Sequence, residues 1–264
     1  LLVVVVVSVV LVRCSAEEEG PAEADFGTPA AAWQKNDLGY YFNTSGRAMP
    51  AAVLKGMDVS KFQGEIDWEK AKAAGIDFAI IRCGFGGEWD GQEENWAQDD
   101  PQWRRNADEC TRLGIPVGGY YYSCAVTAPQ RDAELALLHD ALRGKRLQLP
   151  AAIDVEDARL RALTPDVLSA LVAGAARQLE HWGLYAMVYT YTHFADTALH
   201  MDTLAPFDLW LADYRGKRPA RRHGMWQYTS RGRVPGISGP VDLSRTEKDY
   251  PALLHRAGLD RTIL

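Results

Sequence analysis

The chain has 264 residues, 47% of them hydrophobic, and a formal net charge of −6. That length holds a sizeable core and suits one (β/α) barrel. The acidic balance, without a basic stripe, argues against nucleic-acid binding. Eight Trp and eleven Tyr are plentiful flat rings, of the kind that pack in cores and stack on sugars.

Residues 1–12, LLVVVVVSVVLV, are apolar apart from Ser8, short of the about 20 residues a membrane-spanning helix needs. Residues 1–16 therefore read as a signal peptide or a membrane anchor. Cleavage after Ala16, lipidation at Cys14 and retention as an anchor all stay open; each sends the chain out of the cell or to its envelope. Residues 17–52 read as a tether, with the charge run Glu17–Glu19, then Gly, Pro and Ala, and an aromatic stretch Gly39-Tyr40-Tyr41-Phe42 able to dock on the domain. Residues 53–264 form that domain.

From residue 53 strand-like and helical runs alternate. The strand-like runs are Val53–Val59, Phe78–Cys83, Val117–Ser123, Ala151–Val155, Ala186–Tyr191, Leu209–Tyr214, Met225–Tyr228 and Val241–Leu243. Helices are expected from Asp67, from Asp100-Pro101 with Asp100 as N-cap, from Thr127 and from Thr164-Pro165. The last of these carries Leu168, Leu171, Val172, Ala175 and Leu179 at helical spacing. Alternation of this kind predicts an α/β fold with a parallel sheet. The final strands follow one another too closely for full crossovers. The expected fold is an irregular (β/α) barrel of eight strands and about five helices, its last strands joined with little helix and some of them antiparallel. An open doubly wound sheet is the alternative, but Gly84-Phe85-Gly86-Gly87 opens no helix and is no nucleotide loop.

Three cysteines fall in the domain. Cys110 lies on the apolar face Trp103, Ala107, Cys110 and reads as a buried thiol. Cys83 and Cys124 end neighbouring strands, where a disulfide is one option. The spacing shows no metal motif.

The chemistry centres on Leu149-Pro150-Ala151-Ala152-Ile153-Asp154-Val155-Glu156-Asp157. Residues two apart on a strand share a face, so Asp154 and Glu156 point together, about 7 Å apart. They sit at the C-terminal end of their strand, where barrel enzymes keep catalytic groups. Paired carboxylates oppose each other's ionisation, so one can retain the proton that a general acid donates to a leaving oxygen. Asp58 ends the first strand and Asp242 lies on the last; a closed barrel makes these strands neighbours, which brings four acids to one rim. Tyr122, Tyr189, Trp210, Asp213, Gln227 and Tyr228 fall at the same level and are expected to bind substrate. The six histidines pair with no carboxylate motif at ligand spacing, so neither metal nor cofactor is expected. No GxSxG is present.

The segments GMDVSKFQGEIDW, FAIIRCGFGG, GIPVGGYYYSCA, AAIDVED, LWLADY and MWQYTSRGRVPGISGPVDLS together resemble glycoside hydrolase family 25, the N-acetylmuramidase lysozymes. They stand in family order over about residues 53–245. The resemblance implies cleavage of the β-1,4 bond between N-acetylmuramic acid and N-acetylglucosamine in peptidoglycan. It implies Glu156 as the acid, and Asp154 as the partner that assists the substrate's own N-acetyl group. Asp58 and Asp242 match two further acids of the family's site. The family's third strand more often carries a His where Tyr122 stands. The expected partner is thus a peptidoglycan glycan strand, and the expected state a monomer. A catalytically silent surface barrel that binds carbohydrate is the competing reading.

Overall fold

A computed structural model describes residues 54–87 and 96–263, and before them only the backbone pairing of three two-residue strands, Gln34–Lys35, Tyr41–Phe42 and Ala48–Met49. The expected leader at 1–16 lies outside the described residues, as do the side chains of the expected tether at 17–52.

Eight strands close into a barrel: β1 (Lys55–Val59), β2 (Phe78–Gly86), β3 (Val117–Tyr122), β4 (Ala151–Asp154), β5 (Ala186–Tyr191), β6 (Asp208–Ala212), β7 (Met225–Gly232) and β8 (Val241–Thr246). Neighbours from β1 to β7 pair in parallel. β8 runs antiparallel to both β7 and β1 and closes the ring between them. A short strand, Ala97–Asp99, adds to β2 outside the barrel. The barrel, the antiparallel close and the short final connections all match the sequence reading. No helix links β6 to β7 or β7 to β8.

The described residues hold seven α-helices: α1 (Trp68–Ala73), α2 (Trp103–Leu113), α3 (Ala128–Leu142), α4 (Pro165–His181), α5 (Thr192–Thr197), α6 (Met201–Leu204) and α7 (Tyr250–Ala257). The excess over the expected five comes mainly from α5 and α6, one turn or two long, too short to leave a periodic signature. Side-chain caps start the helices the sequence marked. Asp67 accepts from Lys70 N, Thr127 from Gln130 N and Thr164 from Val167 N. α2 begins two residues later than expected and has no side-chain cap. Asp100 instead accepts from Gln102 N in a preceding turn, and its other oxygen takes the Arg82 Nε and Lys61 N protons.

Strand alternation divides the core in two. Met57, Val59, Ala79, Ile81, Ala151, Ile153, Val188 and Leu243 face outward and pack with the helices. Phe78, Ile80, Ala152, Met187, Trp210 and Met225 fill the interior with Tyr250 and Leu254 of α7. The two clusters bury nearly every large apolar side chain described, at about 25 cal/mol per Å² removed from water. Gly56 is needed for the fit, since a Cβ there would stand 2.4 Å from the Phe78 carbonyl oxygen. At the N-terminal end of the barrel Asp208 accepts from Tyr185 (3.0 Å), Tyr250 (2.7 Å) and Lys248. These bonds tie β6 to α7 and to the segment before β5. Cys83, Cys110 and Cys124 are all buried free thiols, with no disulfide between Cys83 and Cys124.

Candidate active site

Asp154 is the last residue of β4 and points into the barrel with Ala152, while Ile153 and Val155 join the outer cluster. In the sheet it stands between Tyr122 of β3 and Tyr189 of β5. Glu156 follows two residues later, half-buried just beyond the strand. Asp58 of β1 lies directly opposite Asp242 of β8. Because β8 is reversed, its beginning meets the rim where β1 ends. The topology therefore gathers Asp58, Asp154, Glu156 and Asp242 at one end.

The floor is held by hydrogen bonds. Gln227 Nε2 donates to both oxygens of Asp58, each at 3.0 Å. Its Oε1 accepts from the hydroxyls of Tyr189 (2.9 Å) and Tyr214 (2.5 Å). These bonds fix the amide with its NH₂ towards the carboxylate. Trp210 Nε1 donates to Ser244 Oγ at 3.0 Å, and that hydroxyl approaches Asp58 Oδ2 at 3.4 Å.

The four acids perturb one another. Burial pushes Asp58 well above the usual carboxylate range, the charge of Asp242 adds to this, and the bonds from Gln227 and Ser244 offset part of it. Burial likewise raises Asp154, reinforced by Glu156 and Asp58 and opposed by Arg82. Glu156 is pushed to about 7 by burial, then by Asp242 and Asp157. Asp242 is raised to about 6 by burial. Four such groups titrate as a set, and their apparent values belong to the set. One can donate a proton while another carries charge, which is the requirement of glycosidic acid catalysis. Next to them Asp157 behaves oppositely. Burial raises it, but hydrogen bonds and charge from Arg159 outweigh burial and hold it at about 2.

The expected substrate-binding residues separate into three groups. Tyr122 is half-buried at the rim and donates to Asp157 at 3.1 Å. Tyr189 and Gln227 are buried in the floor. Asp213 is buried as well, accepting from Thr192 (2.7 Å) and pairing with Arg215, so it anchors the turn after β6. One expectation is corrected. Trp210 is 1% exposed and packs edge-on against Tyr120 and Tyr189 beneath the floor, with no ring face left for a sugar. Tyr228 is half-buried at the register shift between Gln227 and Thr229, edge-on to Trp226 and packed against the outer cluster.

Arg82 was missed. It is buried on β2, two residues past Ile80 and hence on the same inner face, with its guanidinium between the rings of Phe62 (5.1 Å) and Phe85 (5.0 Å). The period of two in Phe78-Ala79-Ile80-Ile81-Arg82 could have found it. Phe62, 73% exposed at the rim in the turn after β1, was missed too. Among the described residues no group of three or more His, Cys, Asp and Glu is arranged to hold a metal ion.

Several known proteins are similar to this chain. The autolytic lysozyme of Clostridium acetobutylicum is 29% identical over 192 residues, 72% of this chain and 55% of that protein. The chain thus spans about half the length of this relative. Lysozyme M1 of Streptomyces globisporus is 26% identical over 255 residues, 90% of this chain and 82% of that protein. Among solved structures, the modular autolysin LytC of Streptococcus pneumoniae superposes with a TM-score of 0.65 at 26% identity, covering 81% of this chain and 52% of that one. The bacterial lysozyme of Streptomyces coelicolor gives 0.66 at 23% identity, covering 79% and 98%, and speaks for the fold. Residues 57–237 match glycosyl hydrolases family 25. With that match spanning most of the barrel and all of its strands but the last, the chain belongs to glycosyl hydrolase family 25.

Proposed function

We propose that this chain is an N-acetylmuramidase, hydrolysing the β-1,4 bond between N-acetylmuramic acid and N-acetylglucosamine in peptidoglycan. The observation that carries the reading is Glu156, a half-buried acid held at about 7 beside the buried Asp154 at an open rim. Its proton goes to the glycosidic oxygen as the bond to C1 of the muramic acid breaks. The carbonyl oxygen of that sugar's N-acetyl group bonds to C1 in place of the departing sugar, and Asp154 steadies the charge that develops on the amide. The Glu156 carboxylate then takes a proton from water as the water oxygen replaces the amide oxygen at C1. Net hydrolysis follows with configuration retained and Glu156 reprotonated. Asp58 and Asp242 flank the bound sugar, and Tyr122 stands at the rim to contact the glycan.

The relatives support this substrate. Two are named lysozymes, and LytC has been solved with a synthetic peptidoglycan ligand. Action on peptidoglycan places the enzyme outside the cell or at its envelope. Residues 1–16 serve export or anchoring in this reading, residues 17–52 are the tether, and the barrel works as a monomer. Mass spectrometry of muropeptides from digested, purified wall tests the bond. New reducing ends on N-acetylmuramic acid are expected. New ends on N-acetylglucosamine, or release of stem peptides alone, would overturn the reading.

A further inference from the structure

Four clustered acids pose a problem of assignment. Burial raises all four, and repulsion within the cluster adds to this for Asp58, Asp154 and Glu156, so every member is pushed the same way. Something outside it must break the tie.

Each deep acid has a different neighbour. Asp58 is offset by neutral donors, Gln227 and Ser244. Nothing offsets Glu156, which feels burial, Asp242 and Asp157. Asp154 faces Arg82. This guanidinium is 6% exposed, held by Asp100 Oδ2 at 2.7 Å and sandwiched by Phe62 and Phe85. The other charged or titratable groups around it are Lys61 in the turn after β1, whose ammonium lies over Phe85, Tyr120 of β3, and Asp58 and Asp242 across the barrel. Arg82 Nη2 is buried without a hydrogen-bond partner, and so is Asp154 Oδ1. The guanidinium is only partly neutralised by Asp100, so its unbonded Nη2 edge and the unbonded Asp154 oxygen attract each other through the barrel interior. Arginine does not give up its charge inside a protein, so the bias is permanent.

We propose that Arg82 is the positioning residue that keeps Asp154 charged while Glu156 retains its proton, so that the division of labour in the pair is set from β2. Asp100 is the other half of the device, since it holds the guanidinium in place and draws off part of its charge. The inference rests on the muramidase reading for its catalytic meaning, but not for its electrostatics.

Its test is a ¹³C NMR titration of aspartate side chains in the intact chain, with the Asp154 signal assigned by its loss in Asp154→Asn. In Arg82→Gln the Asp154 midpoint should rise by about one pH unit or more, and Arg82→Lys should restore most of the difference. Asp100→Asn keeps the guanidinium and removes its competing partner, so the midpoint should fall. This variant decides the matter even where Arg82→Gln does not fold. A midpoint unmoved in Arg82→Gln, or unmoved or raised in Asp100→Asn, overturns the proposal. No substrate is involved, so this outcome is independent of the activity assigned above. On peptidoglycan, the acid limb of kcat in Arg82→Gln should move up with the midpoint, whereas a purely structural loss would lower kcat at every pH alike. A limb that stays while the midpoint moves would remove Asp154 from the mechanism and leave Arg82 as the source of its charge.

Discussion

Replacing Glu156 by Gln removes the transferable proton and keeps the shape. The structure sets the size of the loss. A carboxyl held at about 7 is about 90% protonated at pH 6, whereas one at its ordinary value of 4.5 is about 3% protonated, so burial raises the supply of acid about thirtyfold. Proton donation itself is typically worth about 10²–10⁴-fold. Glu156→Gln should therefore lower kcat on peptidoglycan by about 10²–10⁴-fold with wall binding unchanged. A substrate with a very good leaving group needs little protonation and should recover much of the loss. Asp154→Asn should also be slow, and should not be rescued this way, because its charge acts on the N-acetyl group and not on the leaving oxygen. The assay is kcat for both variants on a poor and a good leaving group. Rescue of Asp154→Asn and not of Glu156→Gln would reverse the roles. A loss under tenfold in both would remove the pair from the catalytic centre.

Stability should carry the same signature. Asp58, Asp154, Glu156 and Asp242 all have raised folded-state values, so the folded state binds more protons than the unfolded one. Their penalty is absent below the unfolded carboxylate value and grows as pH rises through each raised folded value, about 6 for Asp242 and about 7 for Glu156, with Glu156 contributing about 3 kcal/mol. Denaturant melts of Glu156→Gln should thus show a gain over the parent at pH 8 that vanishes at pH 4; equal gains at both would contradict this. Gln227→Met strips Asp58 of its two amide bonds and leaves two tyrosine hydroxyls without their acceptor. It should cost about 1–3 kcal/mol in a denaturant melt and lower kcat with little change in KM. Cys83, Cys110 and Cys124 are buried, with ionisation pushed up by burial, so a thiol reagent should modify none of these three in the native protein and each of them in denaturant.

The acids were legible because their information is local or topological. Alternation along Ile153-Asp154-Val155-Glu156 fixes which pair faces inward, and ring closure makes Asp58 and Asp242 neighbours. The reversed last strand could be inferred from connections too short for a crossover. Depth was not legible. Trp210 points inward as its parity requires, but nothing in the sequence says that Tyr120 and Tyr189 close over it. The setting of Tyr228 was not legible either, because a register shift between Gln227 and Thr229 interrupts the alternation at its position. Arg82 lay hidden in a run read as plain strand, because its meaning depends on Asp154, 72 positions further along the chain.

The reversed final strand also bears on when the enzyme becomes active. Asp58 comes from the first strand and its neighbours Asp242 and Ser244 from the last, and the contact of Ser244 with Asp58 spans 186 positions. Such a distant pairing closes late in folding. Asp154 and Glu156 can therefore be in place while the floor beneath them is still open, and the site is armed only when the barrel's last seam closes.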